Sequence, residues 1–130
     1  MVCLDSDFLI DLLRKNDAAI TKLRYLTATN QKLCTTVVTV AELYKGAHKF
    51  KNSDKISKIK LILDEIQILP FTTESAEKFG ELFYHDEIKS NRPGDMDLLI
   101  ASITLTSNET FLTRNMRHFS VIPNLKTESW

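Results

Sequence analysis

The chain has 130 residues, 43% hydrophobic and 26% charged, with seventeen basic residues against seventeen acidic ones. Such a length and composition suit one soluble domain spanning 1–130 with its own core, and exclude a disordered or fibrous chain. A formal net charge of zero excludes capture of nucleic acid by bulk charge, so any such contact must come from a local patch.

No apolar run is long enough to span a membrane and no basic-then-apolar leader is visible, so the expected compartment is the cytoplasm. Cys3 and Cys34 lie in apolar runs without metal-type spacing. They read as buried, reduced core residues.

Val2 to Leu4 is a short apolar run that stops at Asp5. The period then changes at once, with Phe8, Leu9, Leu12 and Leu13 at helical spacing as far as Lys15. Ser6 or Asp7 is the expected cap of that helix. A second helix is predicted from Ala18 to about Thr29, entered through Asn16-Asp17. Leu33 to Val38 is β-branched and reads as strand 2. Thr39 is the expected N-cap of the next helix, Val40 to about Lys49, with Glu42 at capping-box spacing.

Lysines crowd the span from Lys45 to Lys60, where Asn52-Ser53-Asp54 marks a turn into a helix carrying Ile56, Ile59, Leu63 and Ile66 on one face. Ile66 to Phe71 reads as strand 3, closed by Pro70. A helix capped by Thr72 or Thr73 is predicted through about Lys89, and Ser90 to Gly94 is a loop. Asp95-Met96-Asp97 opens the most apolar helix, from Leu98 to Leu105, whose uniform hydrophobicity marks it as buried. Thr110 to Thr113 reads as strand 4, Arg114 to His118 as a polar loop, and Phe119 to Ile122 as a last strand. Strands alternating with helices predict a three-layer α/β/α fold around a mainly parallel sheet of four or five strands.

Acids recur where strands end or helices begin: Asp5 and Asp7, Glu42, then Asp95 and Asp97. In a parallel sheet these junctions share one edge, the edge where open α/β sheets bind ligands. Carboxylates within ~4 Å repel by about 4 kcal/mol per pair at an effective dielectric of 20, so a cluster needs a compensating cation. All-oxygen donors suit Mg²⁺ or Mn²⁺ rather than zinc. Each acid also has a plainer role: Asp7 and Asp95 as helix caps, Glu42 as half of a capping box, Asp97 as an anion favoured in a helix's first turn. Asp5 is harder to explain so, because a charge at the end of an apolar strand needs a partner.

Four blocks in order resemble the PIN-domain family, in particular the VapC-type ribonuclease toxins of prokaryotic toxin–antitoxin pairs. They are Leu4-Asp5-Ser6-Asp7-Phe8-Leu9-Ile10; Thr39-Val40-Ala41-Glu42-Leu43 with Gly46; Asp97-Leu98-Leu99-Ile100-Ala101-Ser102; and Thr113-Arg114-Asn115 followed by His118-Phe119, Ile122-Pro123, Leu125 and Trp130. The resemblance implies that Asp5, Glu42 and Asp97 form the acidic Mg²⁺ site of an endoribonuclease, with Asp5 and Asp97 foremost as direct ligands and Glu42 as a ligand or water-positioning group. It also implies a VapB-like antitoxin encoded alongside, a homodimer, and a structured RNA such as transfer RNA as target.

Many relatives carry a fourth acid in the closing block, where this chain offers Asn115 and His118, so Asp95 and Asn115 are accessory candidates. Arg92, Arg114 and Arg117 lie in loops beside the presumed acidic edge and are the candidate RNA contacts. Two other readings stand beside this one. One is a haloacid-dehalogenase-like phosphatase using Asp5; the other is a non-catalytic PIN fold that binds RNA or a partner.

Overall fold

The structure, a computed structural model, describes residues 1–89 and 93–130. Its elements in order are β1 (Val2–Leu4), α1 (Ser6–Leu13), α2 (Asp17–Ala28), β2 (Leu33–Thr36), α3 (Val37–Lys49), α4 (Ser53–Asp64), β3 (Gln67–Leu69), α5 (Thr73–Phe83), α6 (Asp86–Lys89), α7 (Asp95–Thr106), β4 (Thr110–Leu112), α8 (Met116–Phe119) and β5 (Thr127–Glu128). The five strands form one sheet in the order β3-β2-β1-β4-β5. Every pairing is parallel. The predicted three-layer fold is therefore correct, with all five strands running the same way. Among the described residues, no helix is long and apolar enough to cross a membrane.

The alternation of β1 explains the layers. Val2 and Leu4 face one side and pack with Phe8, Leu9, Leu26, Leu43 and Ile59, from α1 to α4. Cys3 faces the other side and packs with Leu82, Leu98, Ile100, Ile103 and Phe111, beneath α5 and α7. A central strand covered on both faces can be apolar throughout, and all of β1 is buried. Cys3 and Cys34 are both free and buried, as predicted.

Several boundaries differ from the sequence reading. Strand 2 ends at Thr36, because the Thr36 side chain accepts from the Thr39 N–H at 3.0 Å and caps α3. Val37, Val38 and Val40 have strand-like side chains, yet α3 packs against α4, α1 and α7, and packing overrides a weak propensity. Thr39 is thus inside the helix and Glu42 belongs to no capping box.

The long helix predicted to Lys89 breaks at Tyr84, and the His85 ring accepts from the Glu87 N–H (3.3 Å) as α6 begins. The segment Phe119 to Ile122 is not a strand. Phe119 ends α8 and packs on Phe111, ring centroids 4.6 Å apart. The edge strand is instead Thr127–Glu128, held by the Phe111 and Thr113 N–H groups. Two polar-leaning residues carry no readable period. Of the loop expected at Ser90 to Gly94, residues 90–92 lie outside the described residues, and Pro93 and Gly94 precede α7 without regular structure.

Candidate active site

Parallel strands put their carboxyl ends on one edge, and β1 is central, so Asp5 leaves the sheet in the middle of that edge. Its own carboxylate caps α1: Oδ1 accepts from the Ser6 N–H at 2.7 Å. Neither Ser6 nor Asp7 holds that role, contrary to the sequence reading. The other oxygen, Oδ2, accepts from the Thr113 hydroxyl at 2.7 Å. Register explains that contact. Leu4 pairs with Leu112, so the residues that follow, Asp5 and Thr113, emerge side by side.

Asp5 is only 5% exposed. Burial, then the charge of Asp7, push its pKa up to about 7, against the opposing pull of Thr113 and the Ser6 N–H; Glu42 adds to the rise. Asp7, in the first turn of α1, accepts from the Phe8 N–H (2.7 Å) and from the Arg114 N–H (2.9 Å). Burial, its largest influence, likewise raises its pKa. The carboxylate therefore ties the segment after β4 to α1.

Glu42 sits in the second turn of α3, free of capping duty. Its pKa is raised, first by burial and further by the charges of Asp97 and Asp7, while Ser6 and Lys45 pull it down. Asp97 arrives from a different layer, on the first turn of α7, whose N-cap is Gly94 with no side-chain bond. Asp95, expected as that cap, instead begins the helix and is exposed. It makes no hydrogen bond to the other acids among the described residues. One Asp97 oxygen, Oδ2, lies 3.0 Å from His118 Nδ1.

The structure thus brings Asp5, Asp7, Glu42 and Asp97 into one electrostatic neighbourhood. They form a linked series and not a closed cage: among the described residues, no three His, Cys, Asp or Glu side chains gather tightly enough to hold a metal alone. The candidate bases divide. The Arg114 guanidinium is committed to Asp11 (3.1 Å) and to the Trp130 ring (4.5 Å to its centroid). Arg117 is exposed on α8, and Arg92 lies outside the described residues. Asn115 has its N–H on the Thr113 hydroxyl and its amide nitrogen 3.1 Å from His118 Nδ1.

Sequence reasoning missed Thr113 and the bond between His118 and Asp97. A polar residue ending the strand beside β1 was a usable signal for Thr113, given the strand order. Nothing in the sequence signalled that α8 turns His118 back onto α7.

Residues 2–125 match the PIN domain family. Ribonuclease VapC2 of Rickettsia felis is 35% identical over 106 residues, 81% of this chain and 79% of the relative. The fold superposes on the crystal structure of VapBC2 from Rickettsia felis bound to a DNA fragment from their promoter, with TM-score 0.89, 31% identity and coverage of 100% of this chain and 99% of that one. It also superposes on VapBC-1 from nontypeable Haemophilus influenzae at TM-score 0.81 and 27% identity, covering 100% and 98%. With the family model matched over residues 2–125 and the Rickettsia felis relative 35% identical, the chain belongs to the PIN domain family, among its VapC members.

Proposed function

We propose that this chain is a Mg²⁺-dependent endoribonuclease, the toxin of a toxin–antitoxin pair, that cleaves RNA phosphodiesters at Asp5, Glu42 and Asp97. One observation carries the reading. Carboxylates from three separate elements act on one another at the carboxyl edge of the sheet, and the central one, Asp5, is pushed up to about 7. A structural acid with only a cap to make has no use for such company.

The donors fit a hard cation. They are oxygens only, and Mg²⁺ takes one or two carboxylates while keeping several waters, so it needs no closed protein cage. Asp5 and Asp97 would hold the ion, with Glu42 as a third ligand or a group that orients water. Once bound, it supplies Lewis acidity to a phosphodiester and lowers the pKa of a coordinated water. The chain's own share is to hold the acids in place. The Ser6 N–H and Thr113 hydroxyl hold Asp5 by both oxygens. Arg117, exposed on α8, is the freer of the two described candidate arginines for phosphate contact.

The proposed partner is a VapB-like antitoxin, since the Rickettsia felis and Haemophilus influenzae neighbours were solved as VapBC assemblies, and a homodimer is the expected state of the toxin. The phosphatase alternative is not favoured, because Asp7, its second acid, is spent on the Phe8 and Arg114 N–H groups. Asp5→Asn is the direct test. It should abolish Mg²⁺-dependent cleavage of a structured RNA, with an unchanged circular dichroism spectrum. Undiminished cleavage by that variant overturns the assignment.

A further inference from the structure

The segment 113–118 supplies no acid, yet it touches the carboxylates of three different positions. The Thr113 hydroxyl donates to Asp5, the Arg114 N–H to Asp7, and the His118 ring meets Asp97. Asp5 and Asp7 are also held by N–H groups of their own helix. Asp97 is held differently: no side chain caps α7, and among the described residues its hydrogen bond is the one to His118. An ionised carboxylate can only accept, so Nδ1 must carry the proton in this pair. The same nitrogen cannot then accept from the Asn115 amide 3.1 Å away, so the Asp97 and Asn115 contacts compete for one ring nitrogen.

We propose that His118 is a positioning residue for the acidic site: its Nδ1–H fixes one oxygen of Asp97 and leaves the other for a divalent cation. The proposal rests on the metal-dependent reading above and deepens it. Carboxylate ligands held by an outer hydrogen bond lose about 10–100-fold in metal affinity when that bond is removed. The reason is mechanical. Asp97 stands in the field of Glu42, and a carboxylate free to rotate turns away from a like charge. One Asp97 oxygen is engaged and the side chains of both partners are partly exposed, 21% for Asp97 and 40% for His118, so the other oxygen can be reached by an ion.

The test is Mn²⁺ calorimetry on the whole protein, with kcat and KM for a short RNA measured in parallel. His118→Ala should weaken Mn²⁺ about 10–100-fold and lower kcat, with KM for RNA and the melting temperature nearly unchanged. His118→Asn, whose side-chain amide can place an N–H where Nδ1 sits, should bind Mn²⁺ within about threefold of the parent; His118→Gln, which extends past Asp97, should resemble Ala. Wild-type Mn²⁺ affinity in His118→Ala, or equal losses in the Asn and Gln variants, would overturn the proposal. If His118→Ala melts early, the Asn and Gln pair still decides. Asp97→Asn separates the two levels. Lost binding there with intact binding in His118→Ala sinks only the positioning role, whereas intact binding and cleavage in Asp97→Asn sinks the metal-site reading itself.

Discussion

Asp5→Asn should stabilise the protein while destroying its chemistry, and the size of that gain should depend on pH. Folding moves the Asp5 pKa from 3.8 to about 7, chiefly by burial. An acid with a raised folded pKa holds its proton more tightly when folded, so it costs nothing below the unfolded value. The cost then grows as pH rises between the two values, and is constant above the folded one. At 1.36 kcal/mol per pKa unit the full penalty above neutrality is about 4 kcal/mol, against roughly 1.5 kcal/mol at pH 5. Asparagine carries no charge, so the variant escapes this term entirely.

The comparison is best made as a double difference. Replacing the carboxylate changes the bonds to the Ser6 N–H and the Thr113 hydroxyl, which shifts stability by about 1–2 kcal/mol, but that part is nearly independent of pH. Urea unfolding of both proteins at pH 5 and pH 8, in the presence of a chelator, should show the stability gap moving in favour of Asn by about 3 kcal/mol between the two pH values. A gap that stays the same within about 0.5 kcal/mol refutes the claim that Asp5 is held as a costly buried charge.

Mg²⁺ at a hundredfold excess over its dissociation constant should stabilise the parent by about 2.7 kcal/mol, and most of that gain should vanish in Asp5→Asn; equal gains in a urea titration would place the ion elsewhere. Thr113→Val removes a donor from Asp5 and an acceptor from the Asn115 N–H. It should cost about 1–3 kcal/mol and drive the Asp5 pKa higher still, which a ¹³C carboxyl titration by NMR reads directly; an unchanged titration midpoint contradicts the bond. Thr36→Ala should cost about 1 kcal/mol as a lost N-cap, measured by thermal melting, and no loss would return the cap to Thr39.

Much of the candidate site was legible because a single chain feature betrayed it. An apolar strand ending in Asp5 with an immediate helical period allows few readings, and the apolar α7 behind Asp97 declares its burial. Legibility failed where meaning depends on register. Thr113 is an ordinary polar residue until β4 lies against β1 with Leu112 beside Leu4; then it becomes the partner of a buried acid. The same holds for Thr36 and Thr39, three residues apart and chemically alike, where helix packing and not propensity chose the cap. Strand β5 was invisible for a different reason: Thr127 and Glu128 pair through backbone groups, which leave no mark on side-chain pattern.

The rim is held against its own charge by means that stop short of neutralising it. Asp5 caps α1, Asp7 lies in the same first turn, and Asp97 lies in the first turn of α7. Helix N-termini favour an anion by about 0.3–1 kcal/mol each at exposed positions. Hydroxyl and amide donors from 113 to 114 add further pull on Asp5 and Asp7. Those contributions together still leave Asp5 at about 7, because burial and the charges of Asp7 and Glu42 outweigh them. Only protons or a cation can supply the rest. A fold under selection for stability alone would have replaced Asp5 with an amide that caps α1 equally well. Keeping the acid makes sense where a divalent ion is meant to compete with the proton for the same oxygens, and the chain gives up folding free energy near neutral pH to keep them available.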